Sequence, residues 1–300
     1  MASMTIRETH DGDAEACVAL LREVMPDAIG NVETWLHRRR TTPARSRLLS
    51  LVAEADGEVV ARGEAGVNWF LDDSYGFITV AVTAAHRRRG IGGAIYDRLA
   101  EHAHEVGVTR VQSLFHETDE GTRFASTRGF REIRAETPSA VDPRAVDLPL
   151  RDDVELVALG ELDPHDVHRV DEELTRDVPY IEPIEQLPYD DWLNFVWHNP
   201  TFAPDGSFAA FVDGELASLS MLFADRDSGR GLNGFTGTRR AYRGRGLALA
   251  VKIASLRWAA ANGITIVFTT NDETNAPMLA VNRKLGYRPH GRNVEYLAEW

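Results

Sequence analysis

The sequence predicts a mixed α/β fold, an α+β mixed sheet with packed helices, built twice in tandem. Three observations carry that reading. Arg87-Arg88-Arg89-Gly90-Ile91-Gly92 returns as Arg243-Gly244-Arg245-Gly246-Leu247-Ala248, offset by 156 residues. Each copy opens a helical run, Ile91 to Val106 or Leu247 to Asn262, that stops at a glycine, Gly107 or Gly263, at the same offset. Glycine there suits the left-handed residue that closes a helix. A β-rich run follows each, Val111 to His116 and Thr265 to Thr270, and Arg128-Gly129-Phe130 then answers Leu285-Gly286-Tyr287 with one residue gained. The period is far longer than the roughly 50 residues of solenoid units, so it marks a duplicated domain. The expected domains are 1–145 and 146–300. Pro138 to Asp153, with three prolines, reads as the joint, part of it open to forming a last strand of the first domain.

In order, the first half reads as a short strand, Thr5 to Arg7, then helices Ala14 to Val24 and Val32 to Arg40. Strands Leu48 to Ala55 and Val59 to Phe70 turn around Asp56-Gly57, a tight-hairpin pair. A strand from Phe77 to Val82 leads into the arginine-glycine loop. The second half repeats this with Val154 to Leu159 and helices Pro164 to Arg176 and Tyr189 to Trp197. Ser207 to Val212 and Glu215 to Phe223 then turn around Asp213-Gly214, and Leu232 to Thr238 follows. Hairpins followed by strand, helix and strand give a mixed sheet with helices on it.

Composition narrows the function. A formal charge of -13 disfavours nucleic-acid binding, which needs a basic face, and mildly favours a cationic acceptor. The best membrane-span candidate, Leu247 to Leu256, is too short and is interrupted by Lys252, so no membrane partner is expected. Met1 to Glu8 has no leader pattern. One cysteine, Cys17, cannot make an internal disulfide, which suits the cytoplasm, and it sits among apolar neighbours as core packing. A monomer or homodimer is expected. His165, His168 and Glu172 could share a helix face, but three ligands without cysteine make a weak metal pattern, and no metal is expected.

The loop itself suits a pyrophosphate. Arg-x-x-Gly-x-Gly/Ala alone is weak, because chance supplies about half a match in a chain of this length. Both copies, however, stand between a strand and a long helix, where unpaired N–H groups and the helix dipole favour an anion. Glycine lets backbone approach the ligand, and arginine adds charge-assisted hydrogen bonds. A nucleotide-triphosphate loop needs a Gly-Lys pair that the chain lacks; its two lysines are Lys252 and Lys284, against 31 arginines. Gly229-x-Gly231-x-x-Gly234 runs into a predicted strand rather than a helix, so it does not read as a dinucleotide fingerprint.

Val80-Ala81-Val82 with residues 87–92, and Asn275-Ala276-Pro277-Met278-Leu279-Ala280-Val281-Asn282-Arg283-Lys284-Leu285-Gly286-Tyr287, resemble the GNAT family of N-acetyltransferases. The likeness is strong over 77–133 and 232–290. The two-domain layout resembles actinobacterial members such as mycothiol synthase. The resemblance implies two GNAT-like acyl-CoA N-acyltransferase domains with acetyl-CoA as co-substrate, lying where the fourth and fifth strands splay. It would place Val80, Ala81 and Val82, or Thr236, Gly237 and Thr238, along the pantetheine arm. Arg87, Arg88, Arg89, Gly90, Ile91 and Gly92, or Arg243, Gly244, Arg245, Gly246, Leu247 and Ala248, would hold the pyrophosphate. Asn271, Asn275 and Asn282 would follow the CoA path in the second half only.

An aliphatic amine has a pKa near ~10 and must lose a proton before it attacks a thioester. The family often places a tyrosine four residues before the late glycine as the acid; here those positions hold Ala125 and Asn282, which cannot serve. Substitute candidates are Glu64, with His116 and Glu117, in the first half, and Glu173, Tyr180 and Glu182 in the second. Each has an ordinary surface or packing reading as well. The expected function is direct acetyl transfer to a primary amine of a small molecule, the active site in the second half. A protein or peptide amine acetyltransferase and a non-catalytic acyl-CoA-binding protein are the alternatives.

Overall fold

The computed structural model describes residues 4–180 and 185–300. It divides into two compact units, neither contiguous in sequence. Residues 4–135 and 292–300 lie in the first; residues 136–180 and 186–291 make up the second.

The first unit runs β1 (Met4–Glu8), α1 (Ala14–Val24), α2 (Val32–Thr41), β2 (Leu49–Ala55), β3 (Glu58–Val67) and β4 (Tyr75–Val82). Then come α3 (Ile91–Glu105), β5 (Arg110–His116), α4 (Asp119–Ser126) and the first part of β6 (Arg131–Val141). The expected Asp-Gly hairpin forms because Asp56 and Gly57 both take positive φ, 53° and 85°, whose twist matches the flanking strands. β1 to β4 are antiparallel neighbours in order, and β4 pairs β5 in parallel. The next position is filled by the last strand of the chain, Asn293–Glu299, antiparallel to β5. Its Val294, Tyr296 and Ala298 enter the same core as Ile95 and Leu99 of α3.

The second unit repeats the order with β7 (Glu155–Ala158), α5 (Pro164–Thr175), α6 (Tyr189–Trp192), β8 (Phe208–Val212), β9 (Glu215–Asp225) and β10 (Arg230–Thr238). The expected helix to Trp197 is α6 followed by a wide π-type turn, Leu193–Trp197. After α7 (Leu247–Ala261) come β11 (Ile266–Asp272), α8 (Ala276–Lys284), β12 (Arg288–Pro289) and β13, the Asn293–Glu299 strand already met. Gly231 and Gly234 are residues of β10. β11 is flanked by residues 136–141 of β6, so part of the proline-bearing joint is strand in this unit. The interior of α7 holds Lys252 fully buried, and burial alone brings its ammonium down to about 7. Among the described residues, no helix is long and apolar enough to cross a membrane.

The closing strand of the first unit is therefore a core element. Tyr296 is buried and stacks on Phe115 at 5.1 Å. Tyr296→Ala is expected to destabilise the first unit by about 3–5 kcal/mol. Urea unfolding followed by hydrogen exchange at 110–116 reads this; an unchanged midpoint would contradict it.

Candidate functional site

Both units part their central strands in the same way. β4 pairs β5 only over Tyr75–Phe77 with Arg110–Gln112. β10 pairs β11 only over Arg230–Leu232 with Ile266–Phe268. Beyond those three pairs the strands separate, leaving one backbone edge of 78–82 and of 233–238 without a strand partner among the described residues. In the second unit a bulge against β9 at Asn233 to Phe235 adds local twist where the separation starts.

Alternation decides which residues face the opening. The N–H of Thr83 donates to Val60 on β3, and that of Arg239 to Ala217 on β9. Alternate residues of a strand point their backbone groups to opposite neighbours. Val82 and Val80, and Thr238 and Thr236, therefore turn theirs toward the splay. Ala81 and Gly237 point the other way along the sheet. Gly237 instead admits a close neighbour: a Cβ there would meet Leu174 of α5 at 2.8 Å.

A 3-10 turn, Ala84–His86 or Arg240–Tyr242, connects each splayed strand to its loop. Gly90 and Gly246 cap α3 and α7 with φ of 84° and 76°, a left-handed conformation that bares the first N–H groups of each helix. Arg87 Nε donates to Val82 O and Arg243 Nε to Thr238 O, each at 3.0 Å. These arginines brace the loop against its strand, a use that the sequence reading did not include. Their remaining nitrogens meet carboxylates. Arg87 lies 3.3 Å from Glu23 and 3.5 Å from Glu120, while Arg243 and Arg240 share Asp177. The Arg240 hydrogen bond, with Arg243 beside it, outweighs desolvation and holds Asp177 down at about 2. Among the described residues, no carboxylate pairs with Arg88, Arg89 or Arg245. Arg245 lies over the Tyr242 ring at 5.5 Å.

One further arginine joins the second loop. Arg151 donates to the Arg245 carbonyl, and its Nη1 would stand 3.4 Å from a Cβ on Gly246. It comes from the joint, 94 residues before Arg245, and no local motif marks it.

The three asparagines of the second unit have distinct roles. Asn275 caps α8 through Met278 N at 3.3 Å, as Thr118 caps α4 through Gly121 N at 3.1 Å. Asn282 is buried; its Nδ2 donates to Asn271 Oδ1 at 2.6 Å, and its own Oδ1 has no partner among the described residues. Asn271 lies on β11 beyond its last pair with β10. The orphaned Oδ1 is thus linked through Asn271 to the splayed part of β11. A buried acceptor without a donor costs roughly 1–3 kcal/mol unless something supplies one. That atom, the free backbone edge and the bared helix N-terminus fit acetyl-CoA, a ligand with amide groups and a pyrophosphate.

The candidate acids are placed differently. Glu64 is buried on β3 beside Arg62 at 3.0 Å, Ser50 at 3.3 Å and Arg38 at 3.7 Å. Desolvation pushes its pKa up, but Arg62, Arg38 and Ser50 together hold it below the usual range. His116, at the end of β5, bonds Asn293 Oδ1 at 3.0 Å, and Asn293 Nδ2 reaches Asp27 at 3.0 Å. Glu117 pairs with Arg292. Glu173 is held by Arg239 Nε at 2.9 Å, and Tyr180 is half-buried at the edge of the described chain. Glu182 lies outside the described residues. His165 stacks on Tyr189 at 3.6 Å, and His168 Nε2 lies 3.0 Å from Leu187 O. Cys17 is buried, and burial pushes its thiol up to about 11.

Sequence reasoning passed over Asp171. It lies one turn before Leu174 on α5, the helix that packs on Gly237 of the splayed strand. Its Oδ2 accepts the Trp192 indole N–H at 2.8 Å, and the residue is half-buried. Desolvation, aided by Glu172 and opposed by the Trp192 bond, pushes its carboxyl up to about 6. The only sequence signal was an acid in an otherwise amphipathic helix, which ordinarily means a solvated face.

A sequence model of the Acetyltransferase (GNAT) family matches residues 15–132 and again 167–287. No curated protein matches the sequence. Among solved structures, a tandem GNAT protein from the clavulanic acid biosynthesis pathway is similar over 99% of this chain and 98% of its own, with 23% identity and a TM-score of 0.80. A GCN5-related N-acetyltransferase from Sphaerobacter thermophilus is similar over 99% and 95%, with 19% identity and a TM-score of 0.73. Likeness at such identity bears on the fold.

The raised Asp171 pKa makes the stability of the fold depend on pH. The folded chain holds this proton more tightly than the unfolded chain, whose carboxyl titrates near ~4. Stability from this group is therefore full below about 4 and falls as pH rises through about 6. Asp171→Asn keeps an acceptor for Trp192 but removes the partly desolvated charge. Its melting temperature should match the wild type at pH 4 and exceed it by a few degrees at pH 8.

Proposed function

Because the chain belongs to the acetyltransferase (GNAT) family, we propose that it moves the acetyl group of acetyl-CoA to the primary amine of a small molecule, with the reaction in the second unit. The observation that supports this site is the buried Asn282–Asn271 pair at the β10–β11 splay, with Asn282 Oδ1 left unpartnered. The matching residue of the first unit is Ala125, which offers no polar atom. An acidic chain of net charge -13 favours a cationic acceptor.

Acetyl-CoA, when bound, supplies an acetyl thioester whose thiol departs readily. The rest of the task falls to the chain. The edge at Thr236 and Thr238 supplies a backbone donor for the carbonyl oxygen, where negative charge grows. Gly246 and the first turn of α7, with Arg245, take the pyrophosphate, and Arg151 steadies the loop through the Arg245 carbonyl. The amine nitrogen forms the new C–N bond as the C–S bond breaks, and its proton passes to a base. Asp171 suits that role, because a carboxyl near 6 is ionised at neutral pH yet basic enough to take a proton. Glu173, tied to Arg239, and Tyr180 serve as acceptor-side contacts. The leaving thiolate has a pKa near ~8.5, so an asparagine in place of the family's tyrosine forfeits little.

The missing tyrosines also favour a second reading, acetyl-CoA binding without turnover. A thiol-release assay over a panel of primary amines separates them. Turnover with a small amine supports the first reading, silence across the panel in protein that binds acetyl-CoA supports the second, and mass spectrometry of acetylated peptides would reveal a protein acceptor. In the active protein, Asp171→Asn is expected to lower kcat/KM by about 10²-fold or more and abolish the acid limb near pH 6, leaving acetyl-CoA affinity unchanged.

A further inference from the structure

The two units share a backbone plan at the splay but differ in the side chains that line it. In the first unit the Phe124 ring of α4 stands over the splay. A Cβ on Gly92 would lie 3.5 Å from Phe124 Cε2, 3.4 Å from Val82 Cγ2 and 3.8 Å from Val80 Cγ1. The ring therefore sits among the strand edge and helix start that a pantetheine arm would have to cross. Arg128 closes over it, with its guanidinium 3.6 Å from the Phe124 centroid and 4.9 Å from that of Tyr96. Arg128 Nη1 donates to Phe124 O at 3.2 Å, and its Nη2 would lie 3.3 Å from a Cβ on Gly93. Glu120, also on α4, reaches Arg87 of the loop at 3.5 Å. An aromatic ring and an ion pair from α4, with a guanidinium from the turn that follows it, thus fill the positions of arm, loop anion and loop cover.

The second unit has none of these groups at the matching positions. Phe124, Arg128 and Glu120 correspond to Val281, Leu285 and Pro277. Polarity is reversed as well. Tyr96, Leu99, Ala125 and Phe130 of the first unit become Lys252, Ser255, Asn282 and Tyr287. Ser255 Oγ, Asn282 Oδ1 and Tyr287 Oη are buried without a partner, and Lys252 Nζ lies 5.2 Å from the Tyr287 ring. Buried polar groups are normally satisfied, so three unpaired groups on α7, on α8 and just after it point to a polar guest there; the first unit's unpartnered Gln112 Nε2 belongs to the last β4–β5 pair, before the strands part. The first unit is sealed by its own residues.

We infer that the chain binds one acetyl-CoA, in the second unit, and that the Phe124–Arg128 pair closes the first unit's splay to it. This rests on the reading of the splay as an acetyl-CoA site. Equilibrium dialysis of the full chain with labelled acetyl-CoA is expected to give one molecule per chain. Hydrogen exchange under saturating acetyl-CoA should slow in 236–250 and 271–287 and stay unchanged in 80–93. Arg243→Glu should remove the bound molecule while exchange in the first unit stays native. Two molecules per chain, or protection in 80–93, would overturn the closure and leave the acetyl-CoA reading standing. No binding at all would overturn both.

Discussion

The early parting of two parallel strands governs the candidate site. β4 and β5, like β10 and β11, share three residue pairs and then diverge. Backbone N–H and C=O groups beyond that point still need partners, so the gap is a polar slot in an otherwise apolar layer. The slot sets the demands on its surroundings. A loop must leave the strand without covering it, which the left-handed Gly90 and Gly246 permit. An arginine must hold the loop back, which Arg87 and Arg243 do through the last strand carbonyl. A bare helix N-terminus then points at whatever occupies the slot's mouth.

On this common frame, side chains give the units different characters. The first closes its slot with Phe124 and Arg128 and pairs Glu64 with Arg62 and His116 with Asn293, while Gln112 Nε2 on β5 has no partner among the described residues. The second leaves Asn282, Ser255 and Tyr287 atoms unpaired and buries a lone lysine. It also keeps Asp171 half-shielded, so that its proton is held near neutrality. Both features cost stability, and costs of that kind concentrate where a ligand or a proton is handled.

How much of this could be read beforehand depended on range. Helix ends at Gly107 and Gly263, the Asp-Gly hairpins, and the loops between strand and helix follow from rules spanning a few residues, so they were legible in the sequence. The longer reach was less so. The pairing of Arg243 with Asp177 depends on a contact 66 residues away. Arg151 arrives from a segment that reads only as a joint. Asp171 resembles any solvated helix acid until Trp192 is folded against it.

The sequence by itself determined the mixed α/β class, the duplication and the two arginine-glycine loops between strand and helix, because repeat register, hydrophobic period and glycine placement are local properties. Only the tertiary structure decided which loop keeps an open slot, which charges are already spent, and which strand completes which sheet. Those depend on packing between distant segments: Phe124 on Gly92, Glu120 on Arg87, residues 136–141 on β11 and 293–299 on β5. A linear pattern records which residues are present; burial and the competition for partners decide what each is left to do.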